Sequence, residues 1–182
     1  MSFDPADPIG SVFADVIGKP CWLAKRGHGS FITMEFGEPH LEVREPADAS
    51  SSETLRRRGI AVHGDWHLWI YCCEWRILEE GRVIAHSESP DAEIDKAVRR
   101  LDGQKLIGVR VARETGASRI DFEGDLILAT SRMDEADPSY ENWMLATPDG
   151  YWLSYRADGR YSWHDGETMP EQAVWSEIPT RR

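Results

Sequence analysis

Apolar and polar positions alternate in short runs along most of this chain, and glycine-bearing turns separate the runs. Residues 66–72 read Trp-His-Leu-Trp-Ile-Tyr-Cys. Trp66, Leu68, Ile70 and Cys72 share one face and His67, Trp69 and Tyr71 the other, as the period of two in an extended strand requires. Both faces are largely apolar, which predicts a strand covered on both sides. The same reading gives strands at 20–25, 30–36, 40–44, 66–78 and 82–87 in the first half. In the second half it gives 105–113, 118–122, 125–130, 142–147, 151–156 and 160–164. Glu80-Gly81, Glu123-Gly124, Asp149-Gly150 and Asp158-Gly159 fall between runs. Glycine there supplies the positive φ that a tight hairpin turn needs.

One segment changes period. Ile94, Ala97, Val98 and Leu101 recur at helical spacing and predict a helix over Ser89–Leu101. Ser89 is the expected N-cap and Pro90 the first helical residue, with Asp91 and Glu93 in the first turn and Asp102-Gly103 as the stop. Shorter helical turns are expected near Val12–Val16 and within Pro170–Ile178, the latter packing Val174 and Trp175 onto the sheet. Residues 45–63 carry a small polar run and Arg56-Arg57-Arg58, and predict a flexible surface loop.

The two halves follow one order, over approximately 16–102 and 103–165. Gly18-Lys19 opens the first and Gly103-Gln104-Lys105 the second. Phe36 matches Phe122, Leu41-Glu42-Val43 matches Leu126-Ile127-Leu128, Trp66-His67-Leu68 matches Trp143-Met144-Leu145, and Glu80-Gly81 matches Asp149-Gly150. This predicts a single compact domain over 1–182, mainly β within the α+β class. Two tandem antiparallel β-meanders pack together, with one central connecting helix. Eight tryptophans supply a large core.

Charge narrows the partners. The formal net charge is −11, which argues against nucleic acid and anionic membranes, since both are bound through Lys and Arg. It favours a basic protein partner. Cys21, Cys72 and Cys73 are odd in number and suggest no disulfide framework, so the expected compartment is the reducing cytoplasm. Neither a leader pattern nor a membrane-length apolar run is read. Oligomeric state is not legible.

Candidate chemistry is sparse. His63, Asp65 and His67 stand at i, i+2 and i+4, and on one strand they would share a face with donors suited to zinc or iron. Gly64 marks the start of that strand, so His63 and Asp65 are expected in the loop, and no HExxH or CxxC pattern accompanies them. They are therefore read as surface polar residues, and no metal, cofactor or catalytic residue is assigned. The cysteines lie in apolar contexts, and no nucleophile elbow or phosphate loop occurs. Asp134, Glu135, Asp137, Tyr140 and Glu141 precede Trp143 and are the expected contact patch for a basic partner. His63, His67, Trp69 and Tyr71 mark an expected pocket.

The series Gly-Lys…Phe-Gly…Leu-Glu-Val…Trp-His-Leu…Trp-Arg-Ile is followed by Asp-Phe-Glu-Gly-Asp-Leu-Ile-Leu…Glu-Asn-Trp-Met-Leu. Together they resemble small bacterial β-rich proteins of unknown function with an internal duplication, in the style of toxin-immunity proteins. The resemblance spans most of 16–156 and rests on turn and core residues. It implies toxin neutralisation as the role and carries over no catalytic residue. The net charge of −11 and the missing active-site motifs give the expectation of a non-enzymatic cytosolic binding protein whose acidic surface takes a protein partner. The alternative expectation is a small-molecule-binding protein or enzyme with its pocket between the two β-repeats.

Overall fold

The computed structural model describes residues 3–46, 56–133 and 137–179. In chain order the elements are α1 (Pro8–Phe13), β1 (Cys21–Arg26), β2 (Ile32–Phe36), β3 (His40–Arg44), β4 (Gly59–His63), β5 (Trp66–Ile70), β6 (Glu74–Glu79) and β7 (Arg82–His86). Then follow α2 (Asp91–Val98), β8 (Leu106–Ala112), β9 (Ala117–Phe122), β10 (Leu126–Ser131), β11 (Glu141–Ala146), β12 (Tyr151–Arg156), β13 (Arg160–Asp165) and β14 (Ser176–Glu177). The protein is mainly β, of the α+β class, and its strand pairs are antiparallel. A seven-stranded sheet runs β1-β2-β5-β11-β12-β13-β14, a five-stranded sheet runs β7-β6-β10-β9-β8, and β3 pairs with β4 alone.

The expected long strand over 66–78 is two strands in different sheets. Cys72, at φ 49°, turns the backbone between them, a left-handed conformation that a period-two pattern does not announce. The break is structural, because it carries the chain from one sheet to the other. The first half thus supplies β1, β2 and β5 to the larger sheet and the β6–β7 hairpin to the smaller, whereas the chain after α2 supplies β8, β9 and β10 to the smaller sheet and β11 to β14 to the larger. Helix α1 packs on β8, and α2 packs on β1. Glycines with positive φ fall at 18, 29, 37 and 81 in the first half and at 103, 116, 124, 150 and 159 in the second. By this order Trp143 in β11 corresponds to Trp75 in β6, not to Trp66. The β3–β4 hairpin, inserted between β2 and β5, displaced the sequence match by one strand.

Other differences are local. Helix α2 starts at Asp91, because the Ser89 hydroxyl accepts from the His86 N–H at 3.0 Å instead of capping the helix. The segment 45–63 is not all loop: Gly59–His63 is a strand paired with β3. Residues 47–55 of that expected loop lie outside the described residues. In the tail, Val174 is exposed at 76%, whereas Trp175 lies half-buried under the Arg156 guanidinium, 4.6 Å away.

The core is one apolar cluster drawn from both large sheets and both helices. Trp143 and Tyr155 are fully buried in it. The Trp143 indole donates across to the Ser118 hydroxyl at 2.9 Å, and the Trp75 indole donates to the Ser30 carbonyl at 2.7 Å. These two indoles thus place their one polar atom on a partner, whereas the buried Tyr155 hydroxyl has none. Among the described residues, no helix is long and apolar enough to cross a membrane.

Candidate functional site

The inner face of β2 buries Met34 and Phe36 in the core, so Glu35 between them points to the opposite face of the sheet. Its register partner on β5 is His67, and directly paired residues project side by side. The His67 Nδ1 lies 2.6 Å from Glu35 Oε1. The β3–β4 hairpin folds back over the same spot and ends in His63, whose Nδ1 stands 3.3 Å from the same oxygen. The other carboxylate oxygen, Oε2, accepts the Gly64 N–H at 3.0 Å.

Gly64 allows this approach. A Cβ there would stand 2.4 Å from the Phe36 carbonyl oxygen, closer than packed atoms come. Asp65 plays a different part, since its Oδ2 accepts the Glu38 N–H at 2.8 Å and pins the chain that leads into the hairpin. The trio anticipated on one strand face is therefore not the trio that meets. Glu35 joins the two histidines, and Asp65 does not.

Glu35 is 2% exposed. Burial pushes its carboxyl up, but the His67 and Gly64 hydrogen bonds and the positive charge available on both imidazoles outweigh burial and hold it below the ordinary carboxylate range. On the far side of His63, Nε2 faces Glu42 Oε2 at 3.4 Å. The two imidazole rings cross edge to face with centroids 5.6 Å apart.

Above this cluster lies a cleft of about 500 Å³, walled by His40, Glu42, His63, His67, Trp69, Met144, Thr147 and Trp152. It straddles the seam where β5 meets β11, so each half supplies one wall. The expected pocket is thus on the outer face of the seven-stranded sheet. His63, His67 and Trp69 line it. Tyr71 does not: its hydroxyl donates to Glu141 Oε2 at 2.5 Å, and its ring packs against Trp69 and Phe31. Glu35, Glu42, Met144, Thr147 and Trp152 escaped the sequence reading. An isolated acid at an alternating strand position looks like any solvent-facing acid, and the facing histidine comes from a strand 32 residues away in sequence.

A wider groove of about 890 Å³ runs over β8–β10. There Asp121 takes the place in β9 that Glu35 has in β2. It accepts from the guanidiniums of Arg110 and Arg119, each at 2.7 Å. Permanent cations already neutralise that carboxylate.

The acidic patch is only partly in view. Asp134 and Glu135 lie outside the described residues. Asp137 is exposed and accepts the Ser139 N–H at 2.8 Å, Tyr140 is exposed, and Glu141 is half-buried against Tyr71. A different exposed surface was not anticipated. Leu41 pairs with Val62 and Val43 with Ile60, and all four apolar side chains face solvent on the hairpin. Burial pushes the Cys21 thiol up to about 12, and its Sγ donates to the Leu101 carbonyl at 2.7 Å. Burial raises Cys73 and Cys72 as well. No family model, curated protein or solved structure matches this chain.

Proposed function

We propose that this chain is a binding protein that takes a compact ligand in the outer-face cleft over Glu35, His63 and His67. The observation that carries the reading is a buried carboxylate bound by two imidazoles at the floor of a cleft of about 500 Å³. Such a mixture of apolar wall and a few convergent polar groups is what ligand pockets use for affinity and orientation. Trp69, Met144 and Trp152 favour a flat or apolar flank on the ligand, and the imidazoles of His63 and His67 favour a hydrogen-bonding head. The three cysteines are free thiols, which supports the cytoplasm as the working compartment.

The test is a thermal-shift and tryptophan-fluorescence screen of aromatic and heteroaromatic acids and amines. Hits that raise the melting temperature and are lost in both Trp152→Ala and His67→Ala support the cleft. Hits that persist in both variants, or a screen without any, contradict it.

A second reading keeps the protein partner and the toxin-immunity role. The observation that favours it is the exposed apolar face formed by Leu41, Val43, Ile60 and Val62 on a chain of net charge −11. Exposed patches of this kind mark interaction surfaces. A basic partner captured by the wild type and lost in the double variant Leu41→Asp, Ile60→Asp supports this reading. A partner retained by that variant removes the hairpin from the interface.

A further inference from the structure

We infer that Glu35, His63 and His67 form a binding site for one divalent transition-metal ion, of the zinc class, at the floor of the cleft. The inference rests on the cleft as the working site and names what would hold the ligand there. Two imidazole nitrogens and one carboxylate oxygen converge within 4.8 Å of one another. Donors 2.0–2.1 Å from a tetrahedral ion stand about 3.3–3.4 Å apart. The spacing from Glu35 Oε1 to His63 Nδ1 is already 3.3 Å, and that to His67 Nδ1, at 2.6 Å, must open by less than one ångström.

The groups behind the donors fit the same role. A metal-bound imidazole typically gives its other nitrogen to a carboxylate, and metal-bound carboxylates are themselves held by hydrogen bonds. His63 Nε2 faces Glu42 Oε2 at 3.4 Å, and Glu35 Oε2 is held by the Gly64 N–H at 3.0 Å. Both histidines border the cleft, so three protein donors leave a fourth position for water or ligand from that side, as in catalytic zinc sites.

The other half of the molecule supplies an internal comparison. At the corresponding place, Asp121 is paired with two arginines, and its partner on the next strand is Ile127. A carboxylate in that setting needs only charge balance, and guanidiniums provide it permanently. At Glu35 both partners are imidazoles, which when neutral bring lone pairs instead of charge. Neutral imidazoles and an ionised carboxylate are the protonation states that metal ligation requires.

Calorimetric titration of EDTA-treated protein with zinc chloride at neutral pH tests this. The expected result is one zinc per chain, with Glu35→Gln and His67→Ala each weakening affinity by more than about 100-fold, above the range for outer-shell partners. Glu42→Gln is expected to weaken it about 10-fold, and His28→Ala, a remote histidine, not at all. Zinc-edge X-ray absorption on the wild type needs no variant. Two imidazoles with only nitrogen and oxygen donors support the site, whereas sulfur donors overturn it. Absence of one-to-one binding, or binding unchanged in Glu35→Gln, also overturns it. The two proposals fail separately: organic hits in EDTA without zinc binding leave the cleft and remove the metal, and zinc binding with no organic hits does the reverse.

Discussion

Removing His67 tests whether Glu35 is a genuinely buried charge. In His67→Leu the carboxylate loses its 2.6 Å partner and keeps Gly64 N–H at 3.0 Å and His63 Nδ1 at 3.3 Å. Stripping one partner from a buried ion pair typically costs about 3–5 kcal/mol. Two partners remain here, and the His67 side chain is 25% exposed, so water recovers part of the loss. The expected penalty is about 2 kcal/mol, which for a chain of this size lowers the melting temperature by roughly 4–8 °C. Urea melts in EDTA measure it directly.

Two controls give that number its meaning. In a Glu35→Gln background the charge is gone, and the His67→Leu penalty should fall by at least half. The folded-state carboxyl sits below its ordinary range, so its stabilisation is present above the unfolded carboxylate range and is lost as pH falls through the folded value. The gap between wild type and His67→Leu should therefore close in acid. A penalty under about 0.5 kcal/mol, the usual range for surface changes, would refute the reasoning. So would an equal penalty in the Glu35→Gln background.

Three further outcomes follow from the packing. Gly64→Ala puts a Cβ against the Phe36 backbone and should destabilise by roughly 2–4 kcal/mol, whereas Gly108→Ala, with open space around it, should stay within about 0.5 kcal/mol; denaturant melts compare the two. Trp143→Phe strands the Ser118 hydroxyl and leaves a void, and should lower stability by about 2–3 kcal/mol in the same assay. An aromatic disulfide reagent at mildly alkaline pH should leave Cys21 and Cys73 unmodified in the native protein and label all three thiols in urea, because burial holds Cys21 at about 12 and raises Cys73 also.

The turns were the legible part of this fold. Gly81, Gly124, Gly150 and Gly159 sit at positive φ as their hairpins demand, and the apolar spacing of Ile94, Ala97 and Val98 correctly announced α2. What stayed hidden was where the chain changes sheets. Trp66, Leu68 and Ile70 bury even positions and Cys73, Trp75 and Ile77 odd ones, and this change of phase at Cys72 was passed over in reading one long strand. Strand β4 was masked by its setting after a polar segment, because Ile60 and Val62 face solvent and bury no face that a pattern could reveal. The site followed the same division. His63, His67 and Trp69 were recognisable by residue type and spacing. Glu35 and Glu42 belong to other strands, and a single sequence does not state which strands pair.

The most direct measurement is an anomalous difference map at the zinc edge from crystals grown with zinc. The account predicts one strong peak bonded to Glu35 Oε1, His63 Nδ1 and His67 Nδ1, with its open side toward Trp69 and Trp152. A peak elsewhere, with the Glu35–His67 hydrogen bond intact, contradicts it.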